Sequence, residues 1–164
     1  MEYTEEIATI PEDKLHYVDE MGLDEYLNRE YGRAPRGEPV IEQQSGRKFK
    51  RTNLLAAKCG DEIIEPLQYD GRTDHLLFET WFETRLCRAL KKDDVVIMDN
   101  ATFHRKKALR KIAERFGIRV IFLPPYSPDL NPIEKFWSWL KSKLRSILRF
   151  FPALDDAIAA CFQS

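Results

Sequence analysis

An α/β fold built on one mixed sheet is predicted for this chain by three observations. Short apolar runs come first, two of them flanking Gly60-Asp61, the pattern of an antiparallel meander. Two continuous apolar runs then follow, Val95-Val96-Ile97-Met98 and Val120-Ile121-Phe122-Leu123, of the kind that a strand buried on both faces requires. Stretches of helical periodicity precede, separate and follow those runs, as parallel crossovers demand. With 164 residues, 43% hydrophobic and 12% aromatic, the chain has the apolar surface for a compact core.

Each element has its own signal. Leu15-His16-Tyr17-Val18 reads as a short strand ending at Asp19, and Leu54–Ala57 with Ile63-Ile64 forms the hairpin. Leu77, Phe78, Trp81, Phe82, Leu86 and Leu90 recur at helical spacing behind Thr73 or Asp74 as a cap. A basic helix turns Ala108, Leu109, Ile112, Ala113 and Phe116 inward and stops at Gly117. After the turn Pro124-Pro125-Tyr126-Ser127-Pro128, a long helix carries Ile133, Phe136, Trp137, Leu140, Leu144 and Ile147 on one stripe. The order β-β-β-α-β-α-β-α gives a five-stranded sheet, three antiparallel strands and then two parallel, flanked by helices. Residues 1–150 read as one domain with a loop-rich insertion over about 28–46, rich in Gly and Pro, and 151–164 as a short C-terminal helical tail.

Composition excludes several classes. No apolar run approaches the roughly 20 residues of a membrane span, and the acidic start has no basic-then-apolar leader, so a cytoplasmic protein without a membrane partner is expected. Cys59, Cys87 and Cys161 contain no CxxC pair and fit neither a disulfide framework nor a zinc knuckle. The net charge of −1 hides a split: residues 1–98 hold 14 Lys/Arg against 21 Asp/Glu, whereas 99–150 hold 12 against 4. Such a basic block marks either a nucleic-acid surface or a solvated helix face.

If the fourth strand lies parallel beside the first, their carboxyl ends meet at a topological switch point, where ligand chemistry is expected. Asp19 and Asp99 stand at those ends, and Glu134 lies in the first turn of the last helix. Two or three hard oxygen ligands are what Mg²⁺ or Mn²⁺ takes from a protein. Two such ions about 3.5 to 4 Å apart activate a water on one side of a phosphodiester and stabilise the leaving oxygen on the other.

Other roles compete for these residues. Asn131-Pro132-Ile133-Glu134 also fits N-cap to N3 of a helix, with Glu134 as a capping-box glutamate. Glu20 competes with Asp19, although strand alternation turns it to the opposite face. Asn100 reads as a turn former or as a hydrogen-bonding group within the site, and His104 as a helix-start or surface histidine or as a phosphate or water contact. Arg105, Lys106, Lys107 and Arg110 after the second acid, with Lys135, Lys141 and Arg145 after the third, form a candidate phosphate track. Trp81 and Trp137 lie on apolar stripes and read as core, whereas Trp139 is off the stripe.

The motifs Met98-Asp99-Asn100-Ala101-Thr102-Phe103-His104, Leu123-Pro124-Pro125-Tyr126-Ser127-Pro128-Asp129-Leu130-Asn131-Pro132-Ile133-Glu134 and Phe136-Trp137 resemble the catalytic domain of the DDE transposases of the IS630/Tc1/mariner superfamily. Asp99 and Glu134 have 34 residues between them, the spacing typical of that group's second and third acids, and Tyr17-Val18-Asp19-Glu20 resembles the segment around its first. The resemblance implies an RNase H-like fold and a triad of Asp19, Asp99 and Glu134 holding two Mg²⁺ ions, for which Mn²⁺ can substitute. It also implies metal-dependent cleavage of DNA at transposon ends and strand transfer into target DNA, by a homo-oligomer on DNA. Asn100, His104 and Asn131 become auxiliary residues. Members usually carry an N-terminal helix-turn-helix region, and this chain begins about 18 residues before the first acid. A catalytic half is therefore expected, paired with a helix-turn-helix polypeptide from an upstream frame, or a truncated relic. The alternatives are an inactive remnant serving as a DNA-binding or interaction module, and an RNase H-like nuclease without strand transfer.

Overall fold

The computed structural model describes residues 2–23, 52–101, 104–125 and 127–163. The loop-rich stretch 28–46 lies outside them, as do Thr102, Phe103 and Tyr126 of the motifs. The described elements are α1 (Glu2–Ala8), β1 (Leu15–Gly22), β2 (Thr52–Cys59), β3 (Glu62–Asp70), α2 (His75–Trp81, continued by a π turn Phe82–Leu86 and by Cys87–Ala89), β4 (Val95–Met98), α3 (Lys106–Arg115), β5 (Arg119–Phe122), α4 (Ile133–Ile147) and α5 (Leu154–Gln163). Short 3₁₀ turns precede β1, α4 and α5.

The strands lie in the order β3-β2-β1-β4-β5. The β1–β2 and β2–β3 pairs are antiparallel, and β1–β4 and β4–β5 are parallel. Three antiparallel strands followed by two parallel ones is the arrangement that the sequence predicts. β1 is longer than its apolar run, because Glu20, Met21 and Gly22 continue to pair with Leu55, Leu54 and Asn53 of β2. Asp19 is thus inside a strand rather than at its end. The ladder between β1 and β4 does stop there, with its last pair at Tyr17–Ile97.

Side-chain alternation sends the core to both faces of the sheet. On one face Val18, Leu55, Ala57, Val96 and Met98 pack under Phe78, Trp81, Phe82 and Leu86 of α2 and Leu109 and Ala113 of α3. On the other, Met21, Leu54 and Ala56 meet Ile133, Trp137, Leu140 and Leu144 of α4 and Leu154, Ala157, Ile158 and Cys161 of α5. The tail therefore packs as a helix on the body of the protein. Burial of each large side chain contributes about 1.5–3 kcal/mol.

Local chemistry sets the boundaries. Asp74 caps α2 by accepting from the Leu77 amide at 2.9 Å, and Gly117, at φ 71°, ends α3 in the left-handed region. Edge strand β3 tolerates Pro66 because a bulge interrupts pairing between Leu55 and Ala57, with Glu65 at φ 51°. The Trp81 indole donates to the Glu65 carbonyl at 2.9 Å, which pins that bulge to α2.

Candidate active site

The switch point of the sheet is β1, with an antiparallel neighbour on one side and a parallel one on the other. Beyond the last β1–β4 pair the two chains part, Asp19 on one and Asp99 immediately after the other. The start of α4 closes the same crevice. Asn131, only 4% exposed, donates its side-chain amide to the Val18 carbonyl at 3.3 Å and accepts from the Ile133 amide at 3.1 Å. It therefore caps α4 and ties that helix to the residue before Asp19.

Asp19, Asp99 and Glu134 line a single cleft of about 420 Å³, together with Asn100, Asn131 and the Leu123-Pro124-Pro125 segment. Glu134 is exposed on the first turn of α4 and hydrogen-bonds the Asp19 side chain. The Asn131 side chain fills the N-cap role that the sequence offers it, and the Glu134 side chain is directed at Asp19.

Glu20 does not turn away, as alternation along β1 predicts. Among the described residues, ligand oxygens of Asp19, Glu20 and Asp99 all lie within 4.8 Å of one another. The β4 ladder ends before this point, and the longer glutamate side chain reaches the crevice from the opposite face of the strand.

These carboxyl groups repel and are partly dehydrated. Burial, the hydrogen bond that the protonated Asp19 donates to Glu134 and the charges of Glu20 and Glu134 push the Asp19 carboxyl up to about 9. Burial and the charge of Asp99 push Glu20 up to about 7. Glu20 Oε2 and Asp99 Oδ1 are buried without a hydrogen-bond donor. An all-oxygen set with shared repulsion and undonated lone pairs fits a hard divalent cation, which replaces the missing donors and relieves the repulsion.

The segment after Asp99 is held from below. The His104 ring, its side chain 1% exposed, lies 4.3 Å from Phe78 and 6.4 Å from Phe122, measured between ring centroids. Its Nδ1 is 3.0 Å from the Asp99 carbonyl and 3.4 Å from Asp99 Oδ1. Burial lowers its pKa below that of an ordinary histidine, so the ring is neutral and donates from Nδ1 to the carbonyl. His104 thus supports Asp99 from inside the core rather than facing the cleft. Asn100 lies exposed on the cleft wall.

The basic residues divide into groups. Arg105 makes a two-pronged ion pair with Glu79 of α2, with both contacts at 2.7 Å. Lys106 and Arg110 each sit 5.1 Å from the Phe122 ring centre, and Lys107 is exposed. On α4, Lys141 and Arg145 follow Glu134 at seven and eleven residues and share its side of the helix, whereas Lys135 points about 100° away, nearer Trp139. Trp139 is 46% exposed and stacks on Phe136 with ring centres 5.8 Å apart.

Trp137 is a core residue, as its stripe predicts, but its indole also donates to Asp19 Oδ2 at 3.1 Å. Its position one turn after Glu134 is the sequence signal that points to this contact.

A five-stranded mixed sheet with acids gathered at its switch point defines an RNase H-like catalytic domain. The family model described as DDE superfamily endonuclease matches residues 14–158, and the chain belongs to that family. A curated relative, the uncharacterized protein y4pE/y4sA of Sinorhizobium fredii, is 37% identical over 67 residues, 41% of this chain and 47% of that protein. The transposable element Tc1 transposase of Caenorhabditis elegans is 27% identical over 99 residues, 60% of this chain and 34% of that protein. The chain thus spans less than half the length of both. Among solved structures, the Mos1 transposase paired-end complex with the left transposon end aligns over 96% of this chain and 51% of that one, with TM-score 0.63 and 19% identity. The catalytic core domain of BIV integrase aligns over 90% of this chain and 79% of that one, with TM-score 0.57 and 12% identity. At these identities the structural likeness establishes the fold.

Proposed function

We propose that the chain is the catalytic domain of a transposase, cutting DNA at transposon ends and joining the freed 3′-hydroxyl to target DNA. The observation that carries this reading is the convergence of Asp19, Asp99 and Glu134 on one cleft within a DDE superfamily fold. In this reading the three acids hold two Mg²⁺ or Mn²⁺ ions, with Glu20 as a further oxygen donor. The bound pair supplies the Lewis acidity that makes a water or a 3′-hydroxyl nucleophilic and stabilises the departing oxygen.

The protein's own groups do the positioning. Asn131 and His104 fix the backbone at two of the acids, one through Val18 and one through the Asp99 carbonyl. Lys141 and Arg145, on the Glu134 side of α4, hold the phosphate backbone without reading bases. We place terminal-repeat recognition in a helix-turn-helix partner polypeptide and assembly in a homo-oligomer on DNA, located at the nucleoid.

The test is to incubate the chain with supercoiled plasmid and Mn²⁺. Nicking that disappears in Asp99→Asn, with the fold intact by circular dichroism, supports the assignment; nicking unchanged by that substitution refutes it. Joined products separate a transposase from a nuclease without strand transfer. Absence of Mn²⁺-dependent thermal stabilisation would instead identify an inactive remnant.

A further inference from the structure

We propose that Trp137 is a positioning residue for Asp19, its indole N–H setting the carboxylate in the orientation from which it meets a divalent cation. This rests on the reading of the cleft as a cation site. The indole Nε1 lies 3.1 Å from Asp19 Oδ2. The ring is held in the core: Trp137 is 3% exposed, in one buried cluster with Met21, Ala56, Ile133 and Leu140, with Phe136 at 5.3 Å between ring centres.

The chemistry of the donor matters. Asp19, Glu20 and Asp99 crowd within 4.8 Å and repel one another, so an aspartate left to itself rotates away from the cluster. A lysine or arginine would hold it, but would bring a positive charge that competes with the cation. An indole donates only and is neutral, so it orients the carboxylate and leaves its charge available. The same helical turn presents Glu134 three residues earlier, and Asn131 ties that turn to Val18. One short stretch of α4 therefore supplies the third acid and aims the first.

A buried indole needs an acceptor in any case, and Trp81 provides the comparison. It is 2% exposed and donates at 2.9 Å to the Glu65 carbonyl, at the bulge in β3. A role confined to packing predicts equal consequences for removing either indole.

The experiment compares Trp137→Phe with Trp81→Phe in the full chain. Mn²⁺ affinity is measured by calorimetry, and intrinsic fluorescence is followed during a Mg²⁺ titration. Trp137→Phe should weaken Mn²⁺ binding about tenfold and abolish the Mg²⁺-dependent fluorescence change; Trp81→Phe should lose stability and keep both signals. Native Mn²⁺ affinity in Trp137→Phe, or equal weakening in both variants, overturns the proposal. If Trp137→Phe does not fold, the indole N–H proton resonances of the unsubstituted chain serve, with Trp81 and Trp139 assigned from their Phe variants. The remaining resonance should move on addition of Mg²⁺, and an unmoved one overturns the proposal. A chain that binds neither ion removes the cation reading itself, which is a different result from an unaltered variant.

Discussion

Asn131 reaches from the start of α4 to the carbonyl of Val18, the residue immediately before Asp19, at 3.3 Å. With its own side-chain oxygen on the Ile133 amide, it joins a helix cap to a strand through one buried amide. Asn131→Ala removes both bonds and leaves the Val18 carbonyl without this donor, a cost of about 1–3 kcal/mol. Urea unfolding should register that loss. Mn²⁺ affinity should fall with it, because the distance between Asp19 and Glu134 is no longer fixed; unaltered affinity would make Asn131 a cap and nothing more.

Glu20→Gln separates ligation from repulsion. In chelator above pH 7, where Glu20 is ionised beside Asp99, removal of its charge should raise stability by about 1 kcal/mol, or roughly 2–4 °C in melting temperature. In Mn²⁺ the same variant should bind the ion several-fold more weakly. A variant unchanged in both conditions would exclude Glu20 from the centre.

The raised carboxyl groups give metal-free stability a definite slope. Asp19 ionises near 3.8 when unfolded and at about 9 when folded, and Glu20 near 4.5 and at about 7. Between those limits the folded chain binds more protons than the unfolded one, so stability is greatest below about pH 4 for these two groups. It declines as pH rises, steeply to about 7 where both contribute, then more gently to about 9. Saturating Mn²⁺ should flatten the curve by replacing the protons. Melting curves across that range, in chelator and in Mn²⁺, test this; a metal-free stability that rises from pH 5 to 8 would contradict it.

Much of this architecture is legible in the sequence because it rests on local periodicity. The runs at Val95–Met98 and Val120–Leu123 mark their strands to within one residue, and the Asp74 cap and Gly117 stop lie where turn chemistry puts them. What escapes depends on contacts far apart in the chain. The extension of β1 to Gly22 comes from pairing with β2, which no property of Glu20-Met21-Gly22 announces. Glu20 reaches the acidic cluster because a neighbouring strand ends, and strand alternation carries no information about that. Trp137 reads as core because it is core; its second role appears only when Asp19, 118 residues earlier, is placed beside it. The short α1 carries no strong apolar stripe in EYTEEIA and goes unpredicted.

The basic residues make the last prediction, because sequence treats them as one track and the structure divides them. Arg105, the residue after His104, is committed to Glu79, and its bidentate pair braces the start of α3 against α2. Arg105→Ala should therefore act on the fold, lowering the melting temperature while changing DNA affinity little. Lys141 and Arg145 lie along α4 on the side of Glu134, where the proposed function places the phosphate backbone. Each phosphate contact releases condensed counterions, so removing one should reduce the slope of log affinity against log salt by about 0.9 on duplex DNA. Lys141→Ala and Arg145→Ala should each show that reduction, and the double variant about twice as much if the two contacts are independent. Titrations of fluorescent duplex at several salt concentrations measure it directly. A salt slope that falls for Arg105→Ala and not for the α4 variants would move the DNA path from α4 to α3, on the far face of the sheet.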